Sequence, residues 1–185
     1  MGAVSARLLI VVSGLAASGK TTVGRLLSER LSMPLIEKDA ILEALFDTLG
    51  CDEHNRRQRL SRASDEVLFT LAESMDEAVL VNWWNHDSAP ARLRAISPSL
   101  VEVFCDGPIE VAAARFMARR RHPGHLDHLR SPEEHQEGIL RMRETYRGPL
   151  DLGGHIVRLD TSQPLDPDAV IVQVKSALPG TQGEG

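Results

Sequence analysis

Gly14-Leu15-Ala16-Ala17-Ser18-Gly19-Lys20-Thr21 is the stretch on which the reading of this 185-residue chain turns. It satisfies the pattern G-x-x-x-x-G-K-[S/T] in full. Its surroundings fit as well: the β-branched run Arg7–Ser13 (Arg-Leu-Leu-Ile-Val-Val-Ser) reads as a strand buried on both faces. Thr21–Leu31 leaves the loop as a helix, with Val23, Leu26, Leu27 and Leu31 on one side. Gly14 and Gly19 permit backbone conformations that turn successive N–H groups inward, so Gly14, Ala16, Ala17, Ser18 and Gly19 form a concave anion cradle at a helix N-terminus. Lys20 supplies a point charge for β- and γ-phosphates, the Thr21 hydroxyl suits Mg²⁺, and Thr22 is a candidate for the α-phosphate.

Outward from the loop, strand and helix alternate. Further strands are expected at 35–36, 78–84, 100–105 and 156–159. Helices are expected at 40–49, 53–77, 89–96, 109–121, 132–147 and 167–178, with Ser131 as a cap. Residues 122–131 read as a loop and 179–185 as a disordered tail. No repeat or linker interrupts the pattern, so residues 1–178 read as one domain. The alternation implies crossover units and a parallel sheet covered on both faces.

Bulk properties narrow the function. The net charge of −5 speaks against nucleic acid as main partner, since backbone binding needs a broad basic face. The two cysteines, Cys51 and Cys105, make no disulfide framework, which suits a reducing compartment. The apolar run Leu8–Val12 is too short for a membrane span or a signal-peptide core, so a cytoplasmic protein without membrane contact is expected. The sequence is silent on oligomeric state.

Further features bear on chemistry. Asp39 follows the second strand, and ligands collect at the carboxyl ends of strands in such sheets. It is placed either to accept the proton of an attacking hydroxyl or to cap the next helix, and its position alone does not choose. Residues 115–130 hold five arginines (115, 119, 120, 121 and 130) against one acid, Asp127. Arg115 and Arg119 stand one helical turn apart, suited to charge on a transferred phosphoryl group. Trp83 and Trp84, with Arg121, are candidates for an acceptor pocket. Arg56, Arg57, Arg59 and Arg62 read first as solvated helix surface. His122, His125 and His128 recur every three residues, but Pro and Gly inside the spacing and the lack of cysteine in that loop argue against zinc.

With Gly14–Thr22, Asp39, Arg115-Phe-Met-Ala-Arg119-Arg120-Arg121-His-Pro and Tyr146-Arg-Gly-Pro-Leu150 in view, the chain resembles the small P-loop kinases of the nucleoside-monophosphate-kinase type over residues 7–178. Within them it is most similar to the group of chloramphenicol phosphotransferase, zeta-toxin-like, gluconate and shikimate kinases and the polynucleotide 5′-kinase domain. The resemblance implies an α/β three-layer P-loop NTPase fold. Its five-stranded parallel sheet would run in the order 2-3-1-4-5, with helices on both faces and a helical lid over about 115–147. It further implies ATP and Mg²⁺, a small-molecule hydroxyl as acceptor, Lys20 and Asp39 as catalytic groups, and Arg115 and Arg119 as lid residues. Thr161, after the last strand, would lie near the adenine. Such kinases usually carry an acid at the end of strand three. Here Asn82 stands there, which leaves Asp39 or Asp87 to support Mg²⁺ through water, or leaves Mg²⁺ resting on Thr21, water and ATP. The competing readings are a nucleotide-binding switch or ATPase without acceptor, and a polynucleotide 5′-kinase.

Overall fold

The computed structural model describes residues 7–179, so the expected tail lies almost wholly outside the described residues. Five strands form one parallel sheet: β1 (Leu8–Gly14), β2 (Leu35–Glu37), β3 (Glu77–Val81), β4 (Ser99–Asp106) and β5 (His155–Asp160). Their order is β2-β3-β1-β4-β5, as the resemblance implied. Val12 of β1 stands opposite Val81 of β3 and Val103 of β4, which brings the strand ends to a common edge.

The uninterrupted apolar run of β1 has its physical cause in burial on both faces. On one face Leu9 and Val11 pack with Leu80 and with α3 (His54–Ser74) and α4 (Ala89–Ile96) through Leu68 and Leu93. On the other, Ile10 and Val12 pack with α1 (Lys20–Leu31) and α7 (Pro167–Ala177) through Leu27, Val170 and Val174. Each such fully buried side chain stabilises the fold by about 1.5–3 kcal/mol. The remaining helices are α2 (Lys38–Leu49), α5 (Ile109–Ala118) and α6 (Pro132–Thr145), and each lends side chains to one cavity with the loop that follows β1. Among the described residues no helix is long and apolar enough to cross a membrane.

Several boundaries differ from the sequence expectation. β3 stops at Val81, leaving Asn82–Trp84 as irregular chain. α3 ends at Ser74 and α6 at Thr145. α5 ends at Ala118, and Arg119 is its extended C-cap, so Arg115 and Arg119 do not share a continuous helical face. The loop expected at 122–131 contains two short 3₁₀ turns, Pro123–His125 and Asp127–Leu129. These dock on α2: His122 stacks on Phe46, and His125 meets the same ring edge-on. A Cβ on Gly124 would lie 2.4 Å from that ring, so only glycine permits this approach. Ser131 caps α6 in a reciprocal capping box with Glu134.

Candidate active site

The phosphate loop is held by close packing beneath it. A Cβ on Gly14 would stand 2.6 Å from the Cys105 carbonyl oxygen and 2.8 Å from Ser18 Oγ, and the residue has φ +133°. Ala17 and Gly19 take φ of 62° and 93°; the glycine adopts this left-handed conformation freely, whereas the alanine stores some strain there. Lys20 Nζ donates to the carbonyls of Gly14 (3.1 Å) and Leu15 (2.5 Å). Desolvation pushes its pKa down to about 8. Below the loop, burial pushes the Cys105 thiol up to about 12, which leaves it an inert packing group. Ser18 is buried with no hydroxyl partner among the described residues and Thr22 is exposed, and neither lines the cavity.

Thr21 Oγ1 donates to Glu37 Oε1 at 2.8 Å. Glu37 ends β2 and is the N-cap residue of α2, so the carboxyl edge of the sheet delivers it to the first turn of α1. Sequence reasoning missed this residue by seeking the acid at strand three. There Asn82 instead donates to Asp65 Oδ1 (2.9 Å), and the other oxygen of that carboxylate, Oδ2, pairs with Lys38 at 3.4 Å. Of the two carboxylates considered, Asp39 lines the cavity. Asp87 does not: its side chain is 74% exposed and pairs with Arg147 at 2.5 Å. Asp39 is the second residue of α2, inside its first turn, and so is not the helix cap. Its side chain is 50% exposed and stands 4.0 Å from Arg121.

The basic groups divide by environment. Arg115, Arg119 and Arg121 all line the cavity. Arg115 Nη1 donates to the Thr161 carbonyl (2.7 Å), but Thr161 itself is buried, donates its hydroxyl to Asp106 O, and stands outside the cavity wall. Arg119 lies over the Phe116 ring at 4.5 Å, its pKa lowered by desolvation and then by Arg121. Arg121 pairs with Asp127 at 3.4 Å and approaches His125 Nε2 to the same distance. His125 is fully buried and meets Glu43 at 3.1 Å; desolvation, then Arg121, lowers its pKa.

Among the α3 arginines, Arg57 alone reaches the cavity, where Arg130 joins it. Arg56 is bonded to carbonyls at the end of α2, Arg59 pairs with Glu53, and Arg62 is exposed. The Arg57 guanidinium is held below its ordinary value by desolvation, then by Arg121 and Arg130. Such clustering of like charge favours an anionic occupant. Of the tryptophans, Trp83 is 60% exposed on the cavity wall, while Trp84 is 3% exposed and donates Nε1–H to the Val12 carbonyl at 2.9 Å. The cavity that joins these groups measures about 820 Å³, within the range of small-molecule sites.

Known proteins carry the same arrangement of chain. A cytidylate kinase from Natronomonas pharaonis is 31% identical over 178 residues, covering 92% of this chain and 89% of that protein. A shikimate kinase from Tolumonas auensis is 27% identical over 161 residues, covering 82% and 87%. Among solved structures, a provisionally assigned kinase from Chloroflexus aurantiacus superposes with a TM-score of 0.79 at 29% identity, covering 94% of this chain and 99% of that one. The family model described as an AAA domain matches residues 9–149. With a P-loop at Gly14–Thr21 and that match over most of its length, the chain belongs to the AAA domain family and to the P-loop kinases of the nucleoside-monophosphate-kinase-like group.

Proposed function

We propose that the protein transfers the γ-phosphoryl group of ATP to a hydroxyl of a small anionic acceptor seated between α3 and a lid formed by residues 115–147. One observation carries this: a single cavity is walled by the phosphate loop, by Asp39, and by Arg57 and Arg130. The acceptors in two relatives' names, cytidylate and shikimate, are both anions, which supports the reading.

In the proposed step the acceptor oxygen attacks the γ-phosphorus. An oxygen–phosphorus bond forms as the β–γ bridging bond breaks, and ADP leaves with that bond's electrons. The hydroxyl proton passes to an Asp39 oxygen. Lys20, Arg119 and Arg121 stabilise charge on the transferring group, as preorganised cations do in a water-poor cavity. Arg115, tied to the 161 carbonyl, holds the base of the lid against the sheet.

The residues fit magnesium. Among the described residues no three His, Cys, Asp or Glu side chains form a metal cage. Mg²⁺ needs none, being held through one or two protein oxygens, water and phosphate. Thr21 Oγ1 would be a direct ligand and Glu37 would fix its orientation; when bound, the ion neutralises charge on the β- and γ-oxygens. Glu37→Gln should therefore raise the Mg²⁺ concentration needed for half-maximal rate by about 10- to 100-fold, read from ADP release across a Mg²⁺ titration. An unchanged requirement would remove Glu37 from the metal's surroundings.

An acceptor screen with ATP, followed by ADP release and mass analysis of the products, tests the reading. On an acceptor so found, Arg57→Met should raise the acceptor KM by about 10- to 100-fold and leave ATP affinity alone. The similarity to a cytidylate kinase favours one second reading, in which the attacking oxygen belongs to an acceptor phosphate.

A further inference from the structure

Glu102 sits in the middle of β4, 1% exposed, between Val101 and Val103 and opposite Val11 of β1. A carboxyl group there loses its hydration, a loss that must be offset by hydrogen bonds. Two donors reach the same oxygen, Oε1: the Ser13 hydroxyl at 2.5 Å and the Leu150 backbone N–H at 2.8 Å. Ser13 immediately precedes Gly14 of the phosphate loop. Leu150 is buried where the chain returns to the sheet from the lid.

The return segment has the marks of a hinge held at fixed points. Gly148 and Asp151, on either side of the Leu150 contact, take φ of +75° and +55°, so the chain turns sharply before and after it. Tyr146 stacks on Phe104 of β4, and His86 Nε2 lies 3.0 Å from the Gly148 carbonyl. Satisfying the Leu150 N–H would need the glutamate alone. The Ser13 bond to the same oxygen makes a continuous path from phosphate loop to hinge.

Resting on the reading above, in which nucleotide occupies the loop beneath a lid, we propose that Glu102 is a positioning residue coupling the two. Nucleotide on the loop fixes Ser13, Ser13 fixes the carboxyl group, and the carboxyl group orders residues 146–151 for lid closure.

Amide hydrogen exchange on the full chain, with and without Mg·ADP, tests this. In the wild type Mg·ADP should slow exchange at 14–22 and, through the coupling, by about fivefold or more at 146–152. Ser13→Ala keeps the Glu102–Leu150 bond, so it should retain protection at 14–22 and lose the nucleotide-induced part at 146–152. Ser13→Thr, which restores the hydroxyl, should recover it. A purely structural glutamate gives the opposite result, with Ser13→Ala showing the wild-type nucleotide effect at both segments. The proposal is overturned by that outcome, or by a wild type protected at 14–22 only, a measurement that needs no variant to fold. A wild type unprotected even at 14–22 would instead sink the nucleotide reading, and the coupling with it.

Discussion

Asp39→Asn should lower kcat by about 10²- to 10⁴-fold, the usual contribution of a positioned general base, with Mg·ATP affinity nearly unchanged. The substitution keeps the side chain's shape and removes its ability to take a proton. It should not disturb the fold, because Asp39 is half exposed, does not cap α2, and has Arg121, 4.0 Å away, as its ion-pair partner. Losing a negative charge in the first turn of a helix costs about 0.3–1 kcal/mol, well short of unfolding. Steady-state kinetics on an identified acceptor, beside a thermal melt and a nucleotide titration, separate these effects. Full turnover by the variant would refute the base assignment. A loss of only a few fold would fit an acceptor phosphate, which brings no proton that must be removed.

The phosphate loop was legible because its chemistry is local. Glycines, lysine and threonine fall within eight residues, strand and helix flank them directly, and no distant contact is needed to define them. Strand order was available through resemblance, and the alternation of apolar runs supports only crossovers in that sheet. What escaped was set by three-dimensional neighbours. Glu37 precedes Lys38 and Asp39 in an ordinary polar stretch, and nothing in its spacing says that β2 ends beside Thr21. Arg57 is one of four arginines on one helix. The helical period shows that they point in different directions, but not which direction holds a cavity.

The shortened α5 has a similar cause. Residues 119–121 have good helical propensity, yet Arg121 is taken up by Asp127 and by the α2 side of the site, which draws the chain off the helix axis. Tertiary pairing overrides a weak local preference. Glu102 lay hidden for the opposite reason: within an apolar strand it reads as an interruption, and only the fold reveals two donors converging on it.

Lys20→Met should reduce kcat/KM for ATP by about 10²- to 10³-fold, the effect of losing one preorganised charge at a transferring phosphoryl group. The wild type offers a sharper test through pH. With the Lys20 pKa pushed down to about 8 by desolvation, the free protein releases this proton as pH rises through 8. A bound triphosphate favours the ammonium form and raises the pKa again. Binding must then take up a proton in alkaline solution, and ATP affinity should fall as pH rises above 8 while staying flat well below it. Folding has the reverse slope. The folded value lies below the ordinary 10.5, so between about 8 and 10.5 the unfolded chain holds more protons and free protein gains stability as pH rises. Titration calorimetry in buffers of different ionisation enthalpy, with denaturant melts over the same range, reads both slopes, and Lys20→Met should abolish each. An ATP affinity equally steep in that variant would mean that the titrating group lies elsewhere and that Lys20 is already fully charged before nucleotide arrives.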